Sequence, residues 1–309
     1  MVGAMRMPRP SSSAAAATAD VAQSDVRAIA LACLAGVFFV ALNATVKHLT
    51  GTIDTVMLIW ARYFFHVMVV VVLFPRTLKA VVRVPQQGVQ LGRSLLLLGS
   101  TVMNFTALIF MPLGDVSAII FTSPLLVAGI AMLWLKERVT ALRWVIIGAG
   151  FLGSLMIVRP GGGDFNVGAL LAMGCALSYA FYQVSTRIVR EAEPMVSLLY
   201  GGIVGMLAFS LVVPFFWRWP SPLEWALLAM IGILGAVGHL MMIMALQRAE
   251  VSKVSPFTYL QLIWAMLVSA FLLGDVPDGW TIVGAAVIVL SGLALMTPGL
   301  GRPRLPGPR

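Results

Sequence analysis

An all-α integral membrane protein of ten transmembrane helices, arranged as two inverted five-helix repeats, is the fold that three features of the 309-residue sequence predict. Apolar runs of about 20 residues recur along nearly its whole length, Lys and Arg are distributed one-sidedly, and a weak internal repeat relates the two halves. Hydrophobic residues make up 60% of the chain and charged ones 11%, against about 25% charged in an ordinary soluble domain. A water-facing surface cannot be made from that supply, so most of the outward area must meet lipid. The net charge of +9 does not point to nucleic acid, because the basic residues sit in short loops between apolar runs and not along a groove or stripe.

Residues 1–25 are rich in Ser, Ala and Pro around SSSAAAATA and carry little apolar bulk, which predicts a disordered tail. Arg27 precedes an apolar run from Ala28 to Val46, longer than the core of a signal peptide, so this run is expected to be a retained first span. Spans are then predicted at 26–48, 55–74, 91–111, 115–135, 142–158, 166–187, 195–216, 223–246, 253–273 and 279–297, followed by a basic tail from 298 to 309. Pro75, Pro85 to Gly88, Pro112 with Gly114, Arg159 to Gly163, Pro194, Pro220 with Pro222, and Pro277 punctuate them. The third and fourth spans are separated only by the PLG turn.

With the N terminus inside, Lys47, Arg159 and Arg218 fall outside and Arg62 falls within the second span. The other 17 of the 21 Lys and Arg, Arg93 among them, lie inside or at inner helix ends. That asymmetry supports an even number of spans and two cytoplasmic termini. The repeat appears when ALIFMPLGDVSAIIF from Ala107 is laid on ALQRAEVSKVSPFTY from Ala245, an offset of 138. Leu135-Lys136-Glu137 then falls on Leu273-Gly274-Asp275, after a two-residue deletion Trp144 with Gly148 falls on Trp280 with Gly284, and Arg159-Pro160-Gly161 corresponds to Thr297-Pro298-Gly299. The halves are 26–158 and 166–297. Each holds five spans, an odd number, so the second must enter the membrane with opposite orientation, a plan many secondary transporters share.

Two stretches, WLKERVTALRWVIIGAGFLG from the close of the fourth span and SPFTYLQLIWAMLVSAFLLGDVPDGWTIVGAAVIVLSG in the ninth and tenth, resemble the drug/metabolite transporter superfamily and its ten-span EamA-type members. The resemblance covers about residues 26 to 298. An acidic residue that typically ends the fourth and ninth spans is matched by Glu137, while the second copy has Asp275. NATVKHL, WARYFFH and SPFTYLQLIW are most similar to the riboflavin-carrier branch. The resemblance implies a transporter of a small organic metabolite working by alternating access, such as riboflavin or another flat polar ring compound, or else an exporter of amino acids or related metabolites and drugs. It also implies a bacterial inner-membrane location.

Intramembrane polar residues are costly and therefore candidates for contact with a solute. Arg62, seven residues into the second span, keeps its charge in any environment. With Lys47 it could draw an anionic or carbonyl-bearing solute into the outer vestibule, or it could snorkel to the interface. His66 lies one turn deeper on the same face, and His239 sits midway along the eighth span; each could be proton-linked or a simple interhelical hydrogen-bond partner. Asn43, Trp60, Tyr63, Asn104, Tyr179, Tyr182, Gln183, Tyr259, Gln261 and Trp264 supply aromatic planes and amides suited to a flat polar ring, with interfacial aromatic belts as the alternative for those near span ends. Pro124 and Pro256 interrupt the fourth and ninth spans and are hinge candidates.

All 12 acidic residues are expected in loops or at span ends, so no buried carboxylate relay is offered, leaving facilitated passage or His-mediated coupling. Cys33 and Cys175 sit in apolar runs as packing residues, no metal-ligand spacing exists, and no cofactor is expected. A membrane-embedded enzyme would need a nucleophile with a base, paired carboxylates or a phosphate loop. Gly161-Gly162-Gly163 lacks the Lys and Ser/Thr of such a loop. The expected partners are a small-molecule solute and the lipid bilayer; the sequence does not choose between monomer and homodimer.

Overall fold

The structure, a computed structural model, describes residues 12–81, 84, 86–134, 141–158, 166–189, 192–248 and 251–296. Among them the chain forms α-helices without strands: α1 (Ser12–Leu49), α2 (Thr55–Leu73), α3 (Arg76–Val81), α4 (Gln87–Phe110), α5 (Leu113–Ile120), α6 (Ser123–Trp134), α7 (Ala141–Val158), α8 (Val167–Ile188), α9 (Pro194–Val212), α10 (Pro222–Arg248), α11 (Val251–Phe271) and α12 (Gly279–Met296). A 3₁₀ turn, Val213–Phe216, prolongs α9. Six of these helices are long and apolar enough to cross a bilayer, within α1, α2, α4, α8, α9 and α10. Shorter apolar helices stand where the fourth, fifth, ninth and tenth spans are predicted. The chain is a multi-pass membrane protein, and its large exposed side chains, Leu211, Phe215 and Phe271 among them, form the apolar exterior that lipid covers.

Helix ends follow the local chemistry. Asp54 Oδ1 accepts from Val56 N at 2.8 Å and caps α2, Asn166 Oδ1 accepts from Ala169 N at 3.2 Å and caps α8, and Asp278 Oδ1 accepts from Thr281 N at 2.9 Å and caps α12. Pro194 opens α9, where its missing N–H is not needed. After α11 the chain reverses at Gly274, whose φ of +77° suits a residue without a Cβ. Residues 12–25, expected within a disordered tail, are instead helical and continuous with the first span. An Ala-rich segment has high helix propensity and extends an existing helix without a new nucleation step.

The predicted fourth span is two helices. Pro124 cannot donate to Ile120 O, and the helix breaks just before it at Phe121 and Thr122. Thr122 O restarts the ladder by accepting from Leu125 N (3.0 Å) and Leu126 N (3.1 Å). By contrast α11 runs unbroken through Pro256.

The two sequence halves are interleaved. α1 packs on α10 and α11, α8 packs on α4 and on α5 and α6, α2 packs on α10, α9 packs on α4, α2 meets α9, and α7 meets α12. Exchanging α1 with α8, α2 with α9, α4 with α10, α5/α6 with α11 and α7 with α12 maps this set of pairs onto itself. Phe121 and Tyr259, paired by the 138-residue offset, meet ring to ring at 5.8 Å. At the α7–α12 crossing the backbones come so close that a Cβ on Gly153 would lie 2.8 Å from Gly284 O, whereas one on Gly148 meets nothing within 4 Å. Gly153→Ala is therefore expected to lower the melting temperature of the detergent-solubilised protein, at a cost of about 1–3 kcal/mol for overpacking. Gly148→Ala should leave it unchanged or slightly raised, and equal melting of the two variants would contradict the crossing.

Candidate functional site

A cavity of about 130 Å³ lies within the bundle, walled by α1, α2, α4, the α5–α6 break, α8, α10 and α11. It gathers Asn43, Arg62, Asn104, Pro124, Tyr179, Gln183, His239 and Gln261 from the sequence candidates, with Phe39, Thr101, Phe121, Ser123 and Cys175 beside them.

Arg62 dominates its electrostatics. Packing of α2 on α10 carries the side chain past Gly235, where a Cβ would sit 3.6 Å from Arg62 Nε, and leaves the residue only 4% exposed. Nη2 donates to His239 Nε2 at 2.8 Å, so the imidazole is neutral with its proton on Nδ1. The guanidinium carbon stands 4.7 Å from the Tyr63 ring centroid. Tyr63 is fixed in turn by its hydroxyl, which donates to Thr101 Oγ1 at 2.9 Å while Thr101 donates to Leu97 O at 2.9 Å. Nη1 of Arg62 has no hydrogen-bond partner among the described residues. A buried charged donor without an acceptor is costly, and this one lines the cavity.

The opposite walls are neutral. Asn104 Nδ2 donates to Asn43 Oδ1 at 2.9 Å, which leaves Asn104 Oδ1 without a donor among the described residues. Gln183 Nε2 donates to Ser123 Oγ at 3.2 Å across the α5–α6 break. Tyr179 and Tyr182 stack at 5.6 Å and 22°, Tyr182 meets His239 edge-on at 6.1 Å, and Phe39 covers the other side of that imidazole at 4.8 Å. The cavity thus offers one fixed cation, amide donors and acceptors, and aromatic faces. No carboxylate lines it among the described residues.

Other candidates lie elsewhere. His66 is sealed between α2 and α9 against Gly202 and the Leu198 backbone, away from Arg62 despite the shared helix face. Lys47 Nζ donates to Leu108 O (2.9 Å) and Met111 O (3.0 Å) at the C-terminal end of α4, a favourable place for a cation. Trp60 Nε1 donates to Ser210 Oγ at 3.1 Å and its ring joins Phe64 and Trp217. Tyr259 is buried against Phe121 and Gly292. Trp264 is 51% exposed and walls an apolar crevice of about 550 Å³ between α1, α10 and α11, which suits a lipid chain better than a polar solute. Asp275 donates through its backbone to Ser269 O at 2.9 Å in the turn after α11. Glu137 lies outside the described residues, and of Pro256 only the helical backbone is described.

One polar cluster escaped the sequence reading. Arg93, counted with the inner helix ends, is 1% exposed. It donates to Ser197 O at 2.6 Å and to Thr186 Oγ1 at 3.3 Å, with its guanidinium carbon 5.4 Å from the Tyr182 ring centroid, while Gln90 Nε2 donates to Ser197 Oγ at 3.2 Å. The third span was expected from residue 91, which put Arg93 at its end. α4 begins at Gln87, so Arg93 lies six residues into its helix, nearly as deep as Arg62, which lies seven into α2, and that depth is the signal that finds it.

A polytopic helical membrane protein that encloses a cavity with a buried cation on its wall has the architecture of a membrane transporter. The chain belongs to the EamA-like transporter family, whose model matches it twice, over residues 26–159 and 166–297. It is 26% identical over 251 residues to the S-adenosylmethionine uptake transporter of Rickettsia conorii, covering 81% of this chain and 85% of that one. It is 31% identical over 182 residues to the riboflavin transporter of Vibrio cholerae, covering 58% and 61%. With the pseudopaline exporter CntI of Pseudomonas aeruginosa it shares 26% identity over 275 residues, covering 86% and 95%. A solved crystal structure matches 86% of this chain and 96% of its own with a TM-score of 0.62 at 20% identity, which supports the fold. The chain is accordingly a transporter of small metabolites.

The position of Lys47 separates two roles by experiment. Lys47→Met leaves two carbonyls at the end of α4 without a donor and is expected to lower the melting temperature, by about 1–3 kcal/mol of stability, while the half-saturation concentration for transport stays within about twofold. A large rise in half-saturation with unchanged melting would put Lys47 on the solute path instead.

Proposed function

We propose that this chain moves a small organic molecule bearing a flat polar ring and an anionic or carbonyl group across the bacterial inner membrane by alternating access. The solute binds in the cavity between two inverted five-helix halves. The observation that carries the reading is Arg62 Nη1, a buried charged donor without a partner among the described residues, on the wall of a cavity to which both halves contribute. Amides and aromatic faces opposite it suit a ring with several acceptors. The relatives' names, S-adenosylmethionine, riboflavin and pseudopaline, all denote polar organic metabolites.

Ten spans and the inversion are supported by the two family matches, by the odd number of spans predicted in each, and by the exchange pattern of helix contacts. The Lys and Arg asymmetry supports a cytoplasmic position for both termini. A volume of about 130 Å³ is below the roughly 300–1,000 Å³ of sites that enclose drug-sized ligands, so a ring metabolite enters only as the helices part.

Radiolabelled riboflavin and S-adenosylmethionine offered to proteoliposomes test this, with heat-inactivated protein as control. Saturable entry of at least one is expected. For that solute Arg62→Gln should raise the half-saturation concentration about tenfold or more, in keeping with about 1.5–3 kcal/mol for a hydrogen bond to a charged group, and Arg62→Lys should raise it less. Identical kinetics for wild type and both variants would remove Arg62 from the path.

A further inference from the structure

We propose that His239 is the proton site of this chain and loads only together with an anionic group of the transported molecule, so that proton and anion cross in one step. The proposal rests on the transport reading above and adds its coupling. In the structure the Nε2 lone pair of His239 accepts from Arg62 Nη2 at 2.8 Å. A proton at Nε2 would set N–H against N–H and place two positive charges at hydrogen-bond distance.

Nothing nearby relieves that repulsion. The charged and titratable groups around His239 are Arg62 from α2, Arg93 from α4 and Cys175, Tyr179 and Tyr182 from α8, with His66 of α2 acting on it from the α9 side, while α1 presents the Phe39 ring. Each is cationic or neutral. Asp54, Asp115, Glu193, Glu224, Asp275 and Asp278 lie at helix ends and turns, Asp20 and Asp25 belong to the N-terminal part of α1, and no carboxylate lines the cavity among the described residues. A proton on His239 therefore needs a negative charge brought in from outside.

A carboxylate supplies it. Arg62 Nη1, without a partner among the described residues, donates to one oxygen and Nη2 follows it, which frees His239 Nε2. Nε2 takes a proton from water on the loading side and donates it as a hydrogen bond to the other oxygen. Nδ1 also lacks a partner among the described residues, so the ring turns towards the anion without breaking a second bond. The carboxylate group and the proton cancel one another beside Arg62, whatever charge the rest of the molecule carries, and both leave on the far side, restoring the Arg62–His239 bond. Linkage makes the effect reciprocal, since a proton raises the affinity for the anion by the factor by which the anion raises affinity for the proton.

Two measurements test it. The first counts protons per molecule entering proteoliposomes, with a trapped pH dye, for S-adenosylmethionine, which has a carboxylate, and riboflavin, which is uncharged. Wild type should move protons with S-adenosylmethionine and none with riboflavin. His239→Gln, whose amide oxygen still accepts from Arg62 but cannot titrate, should carry no proton with whatever S-adenosylmethionine it moves. Protons entering with S-adenosylmethionine at the wild-type ratio in His239→Gln, or S-adenosylmethionine entry without protons in wild type, overturns the proposal. If neither molecule enters, the transport reading fails for these solutes.

The second measurement is independent of transport. Nitrogen NMR of protein with ¹⁵N-labelled histidine, His239 assigned from His239→Gln, should show the neutral Nδ1–H tautomer near neutral pH. Benzoate, a planar carboxylate, should convert it to the doubly protonated form in wild type but not in Arg62→Gln. An Nε2–H tautomer, or a spectrum unmoved by benzoate, overturns the proposal whatever the vesicles show.

Discussion

A guanidinium that cannot give up its proton, set inside an apolar bundle, is the constraint on which the cavity depends. Arg62 has no carboxylate partner among the described residues, and its surroundings compensate for the charge by geometry. One donor finds the lone pair of a neutral imidazole, the cationic face rests over the Tyr63 ring, and the remaining donor faces the cavity. Each compensation recruits a different helix: His239 comes from α10, while Tyr63, on α2 itself, is held by Thr101 of α4. Cation–π and neutral hydrogen-bond partners leave the net charge in place. The cavity therefore keeps a positive potential that an apolar wall does little to screen, and it selects for acceptors in whatever enters.

The helix arrangement explains why such a cavity can exist at all. Helices in lipid gain nothing by burying apolar surface against one another, so they associate where backbones approach closely or polar groups meet. The α7–α12 crossing uses the first device, at Gly153 and Gly284. The central helices use the second, through Asn43 with Asn104, Gln183 with Ser123, and Arg62 with His239. The pattern of contacts is symmetric under exchange of the halves, yet the local conformations are not. α5 and α6 are broken before Pro124, while α11 continues through Pro256. If the halves are inverted as proposed, that asymmetry is what alternating access requires, because two identical conformations would open the cavity equally to both sides.

Much of this was legible in the sequence because hydrophobic periodicity and Pro/Gly punctuation report directly on what lipid demands of a backbone. The apolar runs, the PLG turn and the intramembrane positions of Arg62, His239 and the amides all follow from that. Direction was not legible. Arg62 and His66 share a helix face at a spacing of four, but the width of that face lets one point to α10 and the other to α9. Lys47 looked like a solute ligand because a cation near an apolar run is conspicuous, whereas the carbonyls that hold it belong to a helix end 61 residues away in sequence. Trp264 faces outward because aromatic residues serve lipid and cavity alike. Arg93 was hidden by a boundary error of four residues, from 91 to Gln87, enough to turn a buried charge into an apparent interfacial one.

Tyr182 joins the two buried guanidiniums into one device. Its ring meets His239, which holds Arg62, and also lies beneath Arg93, which ties α4 to α8 and to the first turn of α9. Arg93 places two donors on Ser197 O and Thr186 Oγ1 and so acts as a strut between helices, while Arg62, whose one described side-chain hydrogen bond goes to His239, is the guanidinium that lines the cavity and is proposed to bind the solute. If a solute draws Arg62 towards itself as proposed, His239 is released and its edge contact with Tyr182 changes with it. Any shift of the Tyr182 ring is felt at Arg93, whose bonds hold α8 and α9 together. If the solute binds at Arg62 as proposed, this one aromatic side chain connects the occupied cavity to the contacts that tie α4 to α8 and α9.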